Sequence, residues 1–392
     1  MSQRTGSLVV SELIGGRVRG MQEYAPEPLA ETARRLGVAP ASLIKLDANE
    51  NPYGPTDRAA AVLRAYAEHH RYPDPISRRL RQAIGSYLSV DPDQILVGNG
   101  SDELIDLLLR LFRPAPRPVA GSNADDRAPN GIGQVIDCQP SFGMYAFYGV
   151  ANDMQVVDIP RTSGYGVDVE AIETLCARDP QPRILFVASP NNPDGQLLPE
   201  AALRRLLALP LVVVLDEAYV EFAGDSRVGW VAEHDNLIVL RTFSKWAGLA
   251  GLRVGYGVFP PALATALLKL KSPYNVNGAA QAAALATLED VEQAMARVRL
   301  LVAERERLYT RLQDIPVVQP HPSQANYIMC HVRGYTLAEL RDWMEARGIL
   351  LRYYGRGALA DCIRISVGTP EQNDAVVEAL EALPSQVLAS KE

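Results

Sequence analysis

Two residues that can do chemistry follow apolar, strand-like segments of the sequence. Asp216 ends the segment LVVVLD, and Lys245 comes shortly after NLIVLRT. In open α/β sheets, ligands bind beyond the carboxyl ends of the strands, so both side chains are expected at one edge of a sheet. Two further strand-like segments end in a glycine turn at 98–100 and in the polar run SPNNP at 189–193. The predicted edge therefore offers an acid, a primary amine and an amide beside a turn.

A lysine beside anion-binding groups suits a ligand that carries both an aldehyde and a phosphate. Ser244 precedes Lys245, and Arg253 follows it. The segment VGNGSDELIDLL changes from strand to helix at Ser101, which we predict to be the N-cap, and free amides at a helix start attract anions. Pyridoxal phosphate needs a lysine, a carboxylate for its ring nitrogen and a phosphate site. Asp216 can supply the carboxylate, although each motif alone also fits a solvated lysine or a plain glycine turn.

The order of apolar segments predicts an α/β fold. Between about 95 and 260, short β-branched segments alternate with helical patterns, and several are apolar throughout, as expected for strands covered on both faces. We therefore predict a mostly parallel, doubly wound sheet in a large domain over 51–287. A smaller α+β domain over 288–392 should follow, completed by an N-terminal arm over 1–50. The segment 113–134, rich in Pro, Gly, Asn and Asp, is interpreted as an exposed loop.

Composition limits the partners of the chain. A formal net charge of −7 gives no general attraction to nucleic acid or to anionic membranes. The four cysteines form no C-x-x-C pair and the five histidines show no metal-ligand spacing, so no metal is predicted. No apolar segment is long enough to cross a membrane or to serve as a signal peptide, so we expect a cytoplasmic protein.

The chain resembles the fold-type-I pyridoxal phosphate aminotransferases in six motifs that cover nearly its whole length. They are LDANENPYGP, RYPD, SPNNPDGQ, DEAYVEF, RTFSKWAGLAGLRVGYG and IRISVGTPEQND. The resemblance implies the fold of that family, pyridoxal phosphate as cofactor, and a homodimer with active sites at the subunit interface. Within the family, the chain is most similar to the enzymes that act on L-histidinol phosphate. It departs from the family at Asp194, where threonine is usual, and in the 113–134 segment.

The resemblance assigns roles to the residues that hold the cofactor. Lys245 would bind it through a Schiff base, and Asp216 would pair with its ring nitrogen. Tyr219 and Asn192 would hydrogen-bond its phenolic oxygen, and Phe142 would stack on its ring. The remaining residues implied to bind cofactor, mainly its phosphate, are Gly100, Ser101, Asp102, Ser244, Arg253 and, from the partner subunit, Tyr72. From the sequence alone, Tyr72 can equally be a packed aromatic residue in a turn.

Substrate binding is assigned by the resemblance to Tyr24, Arg352 and Arg364. The implied reaction transfers an amino group between L-histidinol phosphate and 2-oxoglutarate, giving imidazole acetol phosphate and L-glutamate, and histidine biosynthesis runs it in reverse. Histidinol phosphate has no carboxylate, so arginines that bind glutamate must also bind a phosphate, which guanidinium groups can do. For Arg352, a surface position at a strand end is the alternative.

The sequence leaves other functions open. An aromatic or broad-specificity aminotransferase would share every cofactor residue, and a threonine-phosphate decarboxylase would share the scaffold and also bind a phosphate. A binding or regulatory protein with this fold would be expected to lack Lys245 or Asp216, and both are present. A dinucleotide site would need Gly or Ala where Glu103 stands, so NAD is disfavoured.

Overall fold

The computed structural model describes residues 11, 14–21, 25, 27–113 and 132–384, and these form two β-sheets with helices packed on them. The strands are β1 (Ile44–Leu46), β2 (Ile95–Asn99), β3 (Gln134–Asp137), β4 (Gln155–Asp158), β5 (Arg183–Ala188), β6 (Leu211–Asp216), β7 (Leu237–Thr242), β8 (Val254–Val258), β9 (Val318–Pro320), β10 (Tyr327–Val332), β11 (Ile349–Tyr353) and β12 (Cys362–Ser366). The α-helices are α1 (Gly16–Arg19), α2 (Leu29–Leu36), α3 (Asp57–Ala65), α4 (Arg78–Leu88), α5 (Ser101–Phe112), α6 (Met144–Ala151), α7 (Val169–Arg178), α8 (Glu200–Leu207), α9 (Val220–Ala223), α10 (Pro261–Leu270), α11 (Gly278–Glu289), α12 (Val291–Gln313), α13 (Leu337–Glu345) and α14 (Pro370–Glu381). Tyr24 and most of the predicted loop, 114–131, lie outside the described residues.

The larger sheet confirms the predicted fold class. Its strand order is β2-β8-β7-β6-β5-β3-β4, with parallel pairing from β4 through β7 and antiparallel pairing of β8 with both of its neighbours. Side chains alternate between two apolar cores: on β5, Leu185 and Val187 join one, while Ile184 and Phe186 join the other. The sheet is covered on both faces, which explains its unbroken apolar segments.

The smaller sheet joins the two ends of the described chain. Its order is β1-β11-β12-β10-β9, and its apolar core includes residues of α12, α13 and α14. The sequence pattern did not indicate β1, because a strand of three residues has too few alternations to detect. This strand pairs in parallel with β11, Ile44 opposite Ile349. The N-terminal segment is thereby fixed to a sheet made by the C-terminal third of the chain.

The long helix α12 contributes to two apolar cores. Val298 and Leu301 belong to the core on one face of the larger sheet, whereas Leu308 and Leu312 belong to the core of the smaller sheet. The helix therefore connects the two sheets through continuous backbone hydrogen bonding.

In the described part of the chain, no helix is both long and apolar enough to cross a membrane.

Close backbone approach sets where α5 begins. The helix begins at Ser101 and its N-cap is Gly100 with φ of 80°, so the prediction that Ser101 is the N-cap is wrong. Glycine adopts this left-handed conformation without the steric penalty that a side chain brings. On the neighbouring strand β8, a Cβ added to Gly255 would collide with the backbone nitrogen of Ser101. The two glycines let the first turn of α5 lie directly against the sheet.

We predict that Gly255→Ala destabilises the protein by about 1–3 kcal/mol, because the colliding atoms are backbone and cannot swing aside. The measurement is the urea midpoint of unfolding of the cofactor-free chain. Gly251→Ala is the matched control, because a Cβ at Gly251 would meet nothing within 4 Å. Equal midpoints for the two variants would contradict the argument.

Candidate active site

The predicted acid and amine both lie at the carboxyl edge of the larger sheet. Asp216 is the last residue of β6, and Lys245 follows the end of β7 by three residues. The Lys245 amine donates to the carbonyl oxygen of Ala48 at 3.0 Å and lies 5.8 Å from the centre of the Tyr219 ring. The N-terminal segment thus meets the ends of β6 and β7 around one amine.

The Lys245 amine has an unusually low proton affinity. Burial, and after it the positive charge of Arg364, lowers the pKa of Lys245 to about 8. A solvated lysine has a pKa of about 10.4. Near pH 8, the neutral fraction of Lys245 is therefore larger than that of a solvated lysine. The neutral amine is the form that attacks an aldehyde or accepts a proton.

Asp216 is buried and held by two donors. Its carboxylate oxygens accept from the Tyr145 hydroxyl at 2.7 Å and from the Ala218 N–H at 3.0 Å. Burial raises the pKa of Asp216 to about 6, and the two hydrogen bonds oppose that rise. A partner with positive charge would favour the ionised carboxylate and compensate its loss of water. This environment suits the protonated nitrogen of an aromatic ring.

Tyr145 was missed by sequence reasoning, and it organises this side of the site. It stacks on Phe186 of β5, with ring centres 5.0 Å apart, and Phe142 stands edge-on to it at 5.6 Å. Phe142 therefore directly contacts Tyr145, the residue that donates a hydrogen bond to Asp216. Both lie in QPSFGMY, but a tyrosine inside a helical segment gave no signal that its hydroxyl would reach Asp216.

The start of α5 forms a cradle for an anion. Arg253 donates to Asp102 Oδ2 at 2.8 Å and to Ser244 Oγ at 3.5 Å. A Cβ at Gly100 would displace the Arg253 guanidinium from this position, and the positive φ of Gly100 would strain any other residue there. The first amides of α5, those of Ser101 and Asp102, have no acceptor within the helix. Guanidinium, hydroxyl and amide donors at a helix start are the groups that bind phosphate.

Tyr219 and its neighbours form a buried polar group beside Lys245. The Tyr219 hydroxyl accepts from Asn49 Nδ2 at 2.9 Å, and burial raises the pKa of Tyr219 to about 12. Tyr327 of β10 stands edge-on to Tyr219 at 5.0 Å and donates to the carbonyl of Asn191 at 2.5 Å. Asn49 lies in the motif LDANENPYGP, so a signal for it existed, whereas Tyr327 had none beyond being aromatic.

The two predicted substrate arginines lie directly opposite each other on neighbouring strands. Arg352 of β11 pairs with Arg364 of β12, so both side chains share one face of the smaller sheet. Arg364 donates to Asn192 Oδ1 at 2.5 Å and to the Asp47 carbonyl at 2.7 Å, while its Nε has no partner among the described residues. Like charges in facing positions are unfavourable, and an anion bound between them removes that repulsion.

Two predicted residues do not join this group. Tyr72 is 83% exposed and its ring stacks on that of Tyr274 with ring centres 4.6 Å apart, so a role for it in the partner subunit's site stays a prediction. Tyr24 lies outside the described residues.

Asp194, at the threonine position of the family, is buried and accepts hydrogen bonds from the Asn191 side chain and the Gln196 N–H.

The residues present fit pyridoxal phosphate in kind. A lysine of lowered pKa, a buried carboxylate and a phosphate cradle are the three groups that this cofactor requires. The glycine at 100 supports the fit, because a side chain there would fill the cradle. Asn192 and Tyr219 would add an amide and a hydroxyl for the phenolic oxygen.

Comparison with known proteins identifies the family to which the chain is similar. The family of class I and II aminotransferases matches residues 41–380. The chain is 44% identical to the histidinol-phosphate aminotransferase of Roseiflexus castenholzii over 383 residues, 95% of this chain and 98% of that protein. It is 41% identical to the chloroplastic enzyme of that name from Nicotiana plumbaginifolia, over 90% of this chain and 82% of that one. A crystal structure of histidinol-phosphate aminotransferase from Sinorhizobium meliloti, in complex with pyridoxal-5'-phosphate, matches with a TM-score of 0.81 at 25% identity and covers 97% of this chain and 98% of that chain.

We predict that Lys245 in the cofactor-free chain reacts with an amine-acylating reagent with a midpoint near pH 8, because only the neutral amine reacts. Peptide mass spectrometry measures the extent of labelling at each pH. Arg364→Gln should move the midpoint upward, because the Arg364 charge contributes to the lowering.

Lys45 is the internal control for this experiment. Burial alone would lower its pKa, but hydrogen bonds to Glu50 and Asp47 outweigh burial and the pKa of Lys45 is raised. Its midpoint should therefore lie well above that of Lys245 in the same sample. A shared midpoint for the two lysines would refute the proposed environment of Lys245.

Proposed function

The chain belongs to the class I and II aminotransferase family, and we propose that it transfers an amino group between L-histidinol phosphate and 2-oxoglutarate. The products are imidazole acetol phosphate and L-glutamate, and histidine biosynthesis uses the reverse direction. The observation that carries this function is the 44% identity to a histidinol-phosphate aminotransferase along 95% of the chain. The enzyme depends on pyridoxal phosphate.

Cofactor binding is assigned to groups at the sheet edge. Pyridoxal phosphate, when bound, supplies an aldehyde and an electron-withdrawing ring that stabilises negative charge on the substrate carbon. Ser244, Arg253 and the first amides of α5 would hold its phosphate, because they form the cradle described above. Asp216 would hold a proton at the ring nitrogen, and Phe142 would pack against the ring face.

Lys245 is the proposed proton carrier. Its amine, about half neutral at pH 8 and largely neutral above it, can accept a proton from the substrate carbon that bears nitrogen and return it to a neighbouring atom. Tyr219, fixed by Asn49, and Asn192, fixed by Arg364, would bind the phenolic oxygen. Because Arg364 donates directly to Asn192, a substrate anion on Arg364 lies one hydrogen bond away from a cofactor ligand.

Substrate recognition is assigned to Arg352 and Arg364, with Tyr24 as a further candidate from the family resemblance. Both guanidinium groups lie on one face of the smaller sheet. Phosphate and carboxylate accept the same pattern of hydrogen bonds from guanidinium, so one pair of arginines can serve both substrates of the reaction. The amino donor and acceptor would therefore bind in turn at one place.

We also propose a homodimer that works in the cytoplasm. The exposed Tyr72–Tyr274 pair supports a subunit interface, since such interfaces are enriched in aromatic residues. Free, buried cysteines at 138, 176, 330 and 362 are compatible with a reducing compartment. The proposed division into 1–50, 51–287 and 288–392 is supported by the separate core of the smaller sheet, although α12 crosses the boundary between the cores.

The first test is a set of half-reactions followed by absorbance. Cofactor-loaded protein should convert quickly with histidinol phosphate and with glutamate, and slowly with phenylalanine, because Arg352 and Arg364 select a second anionic group. Lys245→Ala should lower the conversion rate by at least about 100-fold, since it removes the proton carrier. Lys269→Ala, an exposed lysine on α10, should leave the rate unchanged.

The same assay separates the alternatives. Phenylalanine as fast as histidinol phosphate would identify a broad-specificity aminotransferase. Release of carbon dioxide from threonine phosphate would identify a decarboxylase. Full activity of the Lys245→Ala variant would contradict the proposed role of Lys245 as proton carrier.

The second test asks whether Tyr72 acts in the partner subunit's site. Tyr72→Phe and Lys245→Ala should each lower activity as homodimers. In a mixed dimer, the site with an intact Lys245 receives Tyr72 from the other chain, so about half of the wild-type activity should return. The measurement is the activity of mixed dimers purified with two affinity tags.

Tyr274→Phe is the matched control for Tyr72→Phe, because it removes a hydroxyl from the ring stacked on Tyr72. It should keep wild-type activity as a homodimer. Mixed dimers no more active than the average of their parents would show that Tyr72 does not act across the interface.

A further inference from the structure

Three side chains that ligate transition metals meet on the smaller sheet, outside the residues assigned to cofactor or substrate. His331 of β10 is directly opposite Cys362, the first residue of β12, and Asp361 precedes Cys362. The His331 Nδ1 lies 2.9 and 3.0 Å from the two Asp361 carboxylate oxygens and 3.4 Å from Cys362 Sγ. Cys362 Sγ lies 3.6 Å from Asp361 Oδ1. We propose that these side chains bind a divalent ion of the zinc type.

The separations between the three ligand atoms match a tetrahedral ion. Zinc bonds are about 2.0–2.1 Å to nitrogen or oxygen and about 2.3 Å to sulfur. At tetrahedral angles, these lengths place nitrogen and oxygen about 3.3 Å apart and sulfur about 3.5 Å from either. The two distances that involve Cys362 Sγ already agree with this geometry. Only the contact between His331 and Asp361 must open, by a few tenths of an ångström.

The second nitrogen of His331 has the partner that a metal ligand needs. The Tyr165 hydroxyl lies 3.2 Å from His331 Nε2 and can donate to the Ala358 carbonyl at 3.4 Å. When Nε2–H donates to Tyr165, Nδ1 carries the lone pair on the side of Asp361 and Cys362. Metal-bound histidines almost always donate their other N–H in this way, which fixes the ring and its tautomer.

The side chains supply three ligands, and a water molecule would take the fourth position. Among the described residues, the group of ligand atoms that lie within 4.8 Å of one another consists of His331, Asp361 and Cys362. The His321 ring centre lies 5.0 Å from that of His331, but His321 is not part of this group. Three protein ligands and one water give zinc its usual four-coordinate sphere.

The ion could reach this site from solvent, and it would connect two separate segments of the chain. The Asp361 side chain is 58% exposed, whereas Cys362 is fully buried, so an ion can enter from solvent and reach the thiolate. Cys362 shares a face of β12 with Arg364, two residues along the strand. Tyr165 comes from the segment between β4 and α7, so the site connects that segment to the strand that carries Arg364.

Zinc titration of the metal-stripped, cofactor-loaded chain against a chromophoric chelator tests the proposal. We expect one tightly bound ion per chain. Cys362→Ser should weaken binding by more than about 100-fold and Tyr165→Phe by about tenfold, because loss of an outer partner has the smaller effect. Cys176→Ser and His234→Gln are matched controls on other elements and should leave the affinity unchanged.

Two further measurements distinguish the loss of a metal ligand from an effect on folding. Asp361→Asn changes an exposed side chain, so it should weaken binding at least tenfold while the metal-free melting temperature stays the same. Cobalt(II), added in place of zinc, should give the absorption of a thiolate-bound tetrahedral ion, measured as a difference from the zinc-loaded protein. Fewer than one ion per two chains, or binding that Cys362→Ser and Asp361→Asn leave unaltered, would overturn the proposal.

Discussion

The carboxyl edge of the larger sheet keeps two ionisable groups, Lys245 and Asp216, largely out of water. Burial works against the charged form of both, lowering the pKa of the amine and raising that of the acid. The surrounding structure supplies compensation: the Ala48 carbonyl accepts from Lys245, and Tyr145 and Ala218 donate to Asp216. A parallel sheet with both faces covered provides this dry edge, because its strand ends are surrounded by helices and loops.

The same edge is coupled to the smaller sheet by a short series of hydrogen bonds. Arg364 reaches Asn192 at the end of β5 and the Asp47 carbonyl in the N-terminal segment. Asn49, in the same segment, donates to Tyr219 and accepts from Ser366 of β12. The residues proposed to bind substrate and those proposed to bind cofactor therefore share direct contacts. A substitution at Arg364 is expected to affect both functions.

The sequence predicted the larger sheet well because its strands are long, apolar and regularly spaced. It placed Asp216, Lys245 and the α5 turn at one edge from strand ends alone, but it did not predict that Arg352 pairs with Arg364. It missed β1, which is too short to show a period, and Tyr145, whose role depends on a hydroxyl that reaches Asp216 across 71 positions. The His331–Cys362 cluster was also invisible, because its ligands meet only after antiparallel strands pair in one register.

A single rigid rod, α12, runs from one apolar core into the other. Its 23 residues span about 35 Å, with Val298 anchored beside the larger sheet and Leu312 in the smaller one. Between these anchors, the buried Arg305 donates to the Ala325 carbonyl and fixes the middle of the rod. Any rotation of one sheet against the other must bend this helix or withdraw its side chains from a core. The helix therefore restrains the angle between the sheets, and with it the reach of Arg364 towards Asn192, together with the hydrogen bonds that join the two sheets.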